Sequence, residues 1–225
     1  MELVDKDKVY YCSPFVQAKN FTQLMLCVLN NDLENASSYI SEINAKNSEE
    51  WTALHIACRN SKTFSSEEMV DFLLKNGADP NAKNNNDCTP LHWASFYSNT
   101  GSSLATVEAL LRNGADPNAK ACDNYTPLHL ASRNSNELSS LATVELLLKN
   151  GADPNTTTKF GSYTSLHIVS MYLDNHLEVD KLLLQYNATP IDEQTQILKL
   201  KIDIESFVEA NEKLKQRIEM LENED

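Results

Sequence analysis

Five histidines and five cysteines are the residues of this 225-residue chain whose types could do chemistry. His55, His92, His129, His167 and His176 are candidate metal ligands or general bases. Cys12, Cys27, Cys58, Cys88 and Cys122 are candidate nucleophiles, disulfide partners or zinc ligands. Their spacing argues against each use. Four of the histidines recur 37 or 38 residues apart, so each holds the same place in a repeated unit. Stacked units put such positions about 10 Å apart, too far for one metal ion to collect two of them. The cysteines are odd in number and contain no Cys-x-x-Cys pair, which fits reduced thiols rather than a disulfide framework or a zinc site. Cys88 and Cys122 fall where hairpins are expected, without an adjoining basic cluster that would make a reactive thiolate. No Gly-rich phosphate loop, His-Glu-x-x-His or Gly-x-Ser-x-Gly sequence occurs. The carboxylates are scattered, and Asp79, Asp116 and Asp153 recur once per unit, as turn residues do. The chain is therefore read as non-catalytic, with no cofactor and no metal site.

The elements that carry these residues follow from the repeat itself. Thr52-Ala53-Leu54-His55, Thr89-Pro90-Leu91-His92, Thr126-Pro127-Leu128-His129 and Thr164-Ser165-Leu166-His167 align with one another. Gly77-Ala78-Asp79-Pro80-Asn81 aligns with the segments beginning at Gly114 and Gly151. A threonine hydroxyl suits a helix N-terminus, and proline suits the first turn. The leucine after it faces a core, and Ala57, Ala94 and Ala131 let neighbouring helices approach. A second amphipathic helix follows, for example through Val107, Leu110 and Leu111. Glycine then permits a left-handed stop, and Asp-Pro-Asn turns the chain.

This unit resembles the ankyrin-repeat family, whose signature is a Thr-Pro-Leu-His-x-Ala helix start and a Gly-Ala-Asp-x-Asn turn. The resemblance implies an all-α solenoid of helix-turn-helix units joined by hairpins, and a protein partner bound in the concave groove. It also implies that the repeated histidine hydrogen-bonds between neighbouring repeats. The expected organisation is an N-terminal segment and degenerate capping repeat over residues 1–47, four repeats over 48–190, and a C-terminal heptad helix over 191–225. In the capping repeat, Leu24 to Leu29 and Leu33 to Ile40 read as two short helices, with Ser13-Pro14 starting another before them. The units exceed the family's usual period by about four residues. The excess falls between the two helices, in Ser61 to Ser66, Ser98 to Ser103 and Asn134 to Ser140, and shrinks in the fourth unit near Asp174 and Asn175. Where the family places a glycine two residues before the threonine, this chain has Glu50, Asp87, Asn124 and Ser162. Glu50 and Ser162 tolerate positive φ poorly, so irregular hairpins are expected there.

Net charge is −13, with 32 acidic against 19 basic residues. That balance disfavours nucleic acid and anionic membrane surfaces as partners. No apolar run approaches the roughly 18 residues of a membrane span. Met1 to Asn20 carries early charges and no signal-like apolar stretch, so a cytoplasmic setting is expected.

Two interaction surfaces are expected. Trp51, Cys88, Tyr125 and Tyr163 precede the threonines, and Arg59, Phe96, Tyr97, Arg133, Met171 and Tyr172 follow the first-helix alanine position, with Phe160 on the fourth hairpin. Aromatic residues and arginine dominate binding hot spots, and these recur in register. Phe96 and Tyr97 stand out, because adjacent aromatics on a helix cannot both turn inward. The second surface is the C-terminal helix, started by Thr189-Pro190. Ile197, Ile204, Asn211 and Ile218 fall at heptad position a, and Leu200, Phe207, Leu214 and Leu221 at d. That pattern favours a parallel homodimer, with Ile204, Phe207, Asn211, Leu214, Ile218 and Leu221 as dimerisation residues and Arg217 paired to Glu222 of the second chain. Ile191, Leu198 and Ile202 widen the apolar face at the N-terminal end, which supports capping of the fourth repeat. The function expected is that of an adaptor or scaffold; the alternative is an inhibitor that occludes a surface of its target.

Overall fold

The computed structural model describes residues 10–13, 16–60, 66–98, 102–133, 140–172 and 177–222. Most of the inter-helix insertions, together with His176, lie outside the described residues.

The first elements are a short antiparallel ribbon, β1 (Tyr10–Ser13) and β2 (Val16–Ala18), with Tyr10 opposite Ala18. No helix begins at Ser13 as expected. A residue before proline avoids the α region, and the tyrosines and valine favour extended backbone.

Eleven α-helices follow among the described residues. The degenerate first unit comprises α1 (Gln23–Leu29), α2 (Leu33–Ala36) and a 3-10 segment, Ser37–Glu42. Its second helix is broken because Asp32 caps a single turn, and Tyr39 leaves helical geometry at φ −117°. The four full units supply α3 (Ala53–Asn60) and α4 (Glu67–Lys75), α5 (Pro90–Tyr97) and α6 (Leu104–Arg112), α7 (Pro127–Arg133) and α8 (Ser140–Lys149), and α9 (Ser165–Tyr172) and α10 (Leu177–Gln185). First helices pack in one row, α1, α3, α5, α7 and α9, and second helices in another, α4, α6, α8 and α10. The chain is an all-helical ankyrin-type solenoid apart from the ribbon.

One continuous core runs between the rows. Leu54, Leu91, Leu128 and Leu166 are buried at equivalent positions, with Leu73, Leu110, Leu147 and Leu183 facing them from the second row. Ala57, Ala94 and Ala131 have no exposed surface, as close helix approach requires. Ser66 and Ser103 start the second helices by accepting hydrogen bonds from the Met69 and Thr106 N–H groups, at 3.2 and 3.1 Å. The helices end through a left-handed residue, Gly77 at φ +88° in the first full unit. There Ala78 N–H reaches back to the Leu73 carbonyl at 3.0 Å. Asn187 makes the same stop in the fourth unit at φ +65°, with Ala188 N–H on the Leu183 carbonyl.

The long C-terminal helix, α11 (Glu193–Glu222), packs on α10. It begins three residues after Pro190. Asp192 is the capping residue, accepting from Thr195 N–H at 2.8 Å, whereas Thr189 belongs to the preceding turn. Among the described residues no helix is long and apolar enough to cross a membrane.

Candidate protein-binding surface

The repeated histidines are joints between units. Nε2 of His55 lies 3.0 Å from the Cys88 carbonyl, Nε2 of His92 lies 3.1 Å from the Tyr125 carbonyl, and Nε2 of His129 lies 3.1 Å from the Tyr163 carbonyl. A carbonyl only accepts, so Nε2 carries the proton. Nδ1 is then free to accept from the N–H of the preceding threonine, at 3.1–3.2 Å in all four units. Burial pushes His55 and His92 down to about 4, and lowers His129. Both ring nitrogens of the first three are occupied, which leaves no lone pair for a metal ion.

A second joint runs through asparagine. Asn81 donates from Nδ2 to the Gly114 carbonyl at 2.8 Å and accepts the Asp116 N–H on Oδ1 at 2.8 Å. Asn118 does the same to Gly151 and Asp153, and Asn155 to Asn187 and Thr189. Asn44 of the degenerate unit makes the first of these joints, to Gly77 and Asp79. The aspartates accept the asparagine N–H two residues on, at 2.9 Å, so their recurrence is turn geometry. An open cleft of about 460 Å³ lies here, lined in part by Asn81, Lys83, Asp116 and Asn118, but these amides are already engaged in the joints.

The hairpins are more regular than the sequence implies. Glu50 adopts φ +61°, beside +55° at Asp87 and +61° at Asn124. Its N–H bonds the Asn47 carbonyl at 3.0 Å, as that of Asp87 bonds the Asn84 carbonyl at 2.9 Å. Glu50 therefore takes the glycine conformation without altering the hairpin. The third and fourth hairpins do differ: Asp123 and Asn124, and likewise Gly161 and Ser162, are consecutive left-handed residues, and in the fourth Thr158 Oγ1 accepts the Tyr163 N–H.

The expected binding positions fall into three groups. Trp51 is 1% exposed and belongs to the core, where it packs at a tilt of 38° against Trp93 with centroids 4.7 Å apart. It offers nothing to a partner, and the expectation that it lines the groove is corrected. Cys88, Tyr125 and Tyr163 are half-buried, and their carbonyls serve the histidine joints. The Cys88 thiol is pushed up to about 12, first by burial and then by Cys122 and Asp87.

Arg59, Phe96 and Tyr97 come together where α3 meets α5. The Arg59 guanidinium lies 5.1 Å from the Tyr97 ring centre, and Phe96 meets Tyr97 edge-on at 4.8 Å. Trp93 completes this cluster, stacked on Tyr97 at 6.1 Å and only half-buried. The sequence did not single it out because Ile56, Leu130 and Ile168 hold its position in the other units and look like core. Its size is the one available signal. Trp93 Nε1 and Arg59 Nε are buried donors with no acceptor among the described residues. Arg133 is exposed, as are Phe160 at 67% and Met171 at 54%. Tyr172 ends α9.

A protein-family model for ankyrin repeats, in three copies, matches residues 24–121 and 97–196. The chain belongs to the ankyrin-repeat family. A curated ankyrin repeat protein of Acanthamoeba polyphaga mimivirus is 38% identical over 72 residues, which cover 28% of this chain and 12% of that relative. The chain thus spans a small part of the relative's length. Ankyrin repeats generally mediate protein–protein interaction and are typically non-catalytic modules.

Proposed function

We propose that this chain is a non-catalytic adaptor that holds a protein partner on the face built from its hairpins and first helices. The observation that carries this reading is the cluster of Arg59, Trp93, Phe96 and Tyr97. These are the residue types that dominate hot spots, partly exposed and held rigid by ring contacts and a cation–π contact. Phe160 and Met171 extend the apolar surface to the fourth unit. The acidic charge and the free thiols fit a partner met in the cytoplasm.

An adaptor needs a second occupied surface, whereas an occluding inhibitor needs only the groove. The exposed face of α11 favours the adaptor. Phe96→Ala with Tyr97→Ala is expected to keep the fold, at a midpoint lower by several degrees, and to weaken a partner captured by the native chain by about 2 kcal/mol, roughly 30-fold. Unchanged affinity would refute the assignment. A chain ending at Glu205 keeps Ile202 on α10 and so separates the two readings: an inhibitor keeps its effect, and an adaptor loses it.

A further inference from the structure

The apolar residues of α11 divide between two opposite sides. Thr195 and Ile202 are buried, and Leu198 is half-buried against the core, so this side seals α10. At 3.6 residues per turn, Ile197, Leu200, Ile204, Phe207, Asn211 and Leu214 fall on the far side. The apolar members of that set are all 47–70% exposed. The two faces overlap along the helix instead of succeeding one another. The capping side ends at Ile202, whereas the open side runs from Ile197 to Leu214. From Asp203 to Arg217 every side chain is exposed. A helix of that length standing alone in water is marginal, and its open apolar stripe calls for a cover.

We propose that this stripe is closed by the same stripe of a second copy of the chain, as a parallel, in-register, two-stranded coiled coil. The stripe keeps a strict heptad from Ile197 through Leu214, and Ile218 and Leu221 carry the same register to the end of α11. A foreign apolar groove would not require a seven-residue period, whereas a second identical helix does. Asn211 fixes the arrangement. In a parallel in-register pair it meets Asn211 of the other copy, and the two amides bond each other. In either antiparallel alignment of the a and d layers it faces Phe207 or Leu214 and buries an amide against apolar carbon. Flanking charges agree. In the parallel pair Asp203 faces Val208, Ala210 faces Lys215, and Arg217 faces Glu222, with no like charges opposed. The antiparallel alignment that sets Asn211 on Phe207 opposes Lys201 to Lys215.

The test uses the full chain and no partner, so its outcome is independent of the groove reading. Light scattering across about 1–100 µM is expected to show mass rising from 25.3 kDa towards twice that value. Phe207→Lys with Leu214→Lys is expected to hold the mass at one chain while the thermal unfolding of the array stays unchanged. Leu214→Cys, in a Cys122→Ser background, is expected to oxidise to a covalent dimer well beyond the parent, since like d positions touch only in the parallel pair. Asn211→Ile is expected to tighten association at least about tenfold and to admit three chains. A monomer throughout the range overturns the proposal. A dimer that survives the double lysine variant also overturns it, because the interface then lies elsewhere, as does a dimer in which Cys at 214 fails to cross-link.

Discussion

Replacing His92 by alanine should destabilise the array by an amount that shrinks as the solution is acidified. The ring makes three contacts: Nε2–H to the Tyr125 carbonyl at 3.1 Å, and Nδ1 accepting from the Thr89 N–H at 3.1 Å and from its hydroxyl at 2.9 Å. Truncation leaves a buried threonine and a carbonyl short of partners and opens a cavity. A loss of about 2–4 kcal/mol is expected at pH 7. Acid changes the comparison. The folded-state pKa is near 4 against an ordinary 6.5, so the contribution of this histidine is complete above about 6.5 and is lost as pH falls towards 4. In that interval the unfolded chain binds a proton that the buried ring refuses. From pH 7 to 5 the linkage removes about 2 kcal/mol from the native protein, and nothing at this position from His92→Ala. Asp and Glu titrate mostly below this window, so it isolates the histidines. Urea unfolding followed by far-UV circular dichroism at pH 7, 6 and 5 measures the difference directly. A gap between the two proteins that stays constant, or widens in acid, refutes the buried neutral joint. Stoichiometric zinc in the native protein, lost with the substitution, refutes it independently.

Other substitutions test neighbouring parts of the account. Glu50→Gly should raise stability by about 0.5–1 kcal/mol in urea unfolding, because it removes a side chain held at φ +61° and sacrifices only the exposed contact with Lys46; a fall would show that the ion pair matters more than the backbone. Asn118→Ala should cost about 1–2 kcal/mol by breaking both bonds to the third unit, and an unchanged midpoint would remove asparagine from the list of joints. Alkylation at pH 8 followed by mass spectrometry should modify exposed Cys122 at least about 100-fold faster than Cys88, whose thiol stays protonated, and equal rates would contradict the burial of Cys88.

The period and the helix pairs were legible because each is written in residues adjacent in sequence and repeated fourfold, and the histidine joints followed from the family resemblance. What escaped depends on neighbours 37 or so residues away. Trp51 stands at the same unit position as Cys88, Tyr125 and Tyr163, which are half-buried, yet it is buried because Trp93 of the next unit lies over it. Trp93 was passed over for the complementary reason: its counterparts are ordinary core residues, and only its bulk leaves part of it outside. Glu50 shows that a poor residue for positive φ does not distort a hairpin whose other hydrogen bonds fix the backbone. The start of α11 was placed too early because Thr189-Pro190 resembles a helix start, but Thr189 N–H is already committed to Asn155, and Asp192 supplies the cap.

The asparagine joints give the array a direction of growth. Each unit offers an amide forwards and receives one from behind, so a further 37-residue unit spliced between Asn118 and Gly151 would find both a giver and a taker. At the far end the position equivalent to Asn155 is Ile191. That side chain packs onto the core, and its own N–H goes to Thr195 Oγ1 at 3.0 Å. Nothing is extended to a sixth unit. The asparagine ladder is therefore closed at this end by one residue that declines the handshake, and a unit added beyond it would find no amide to dock on.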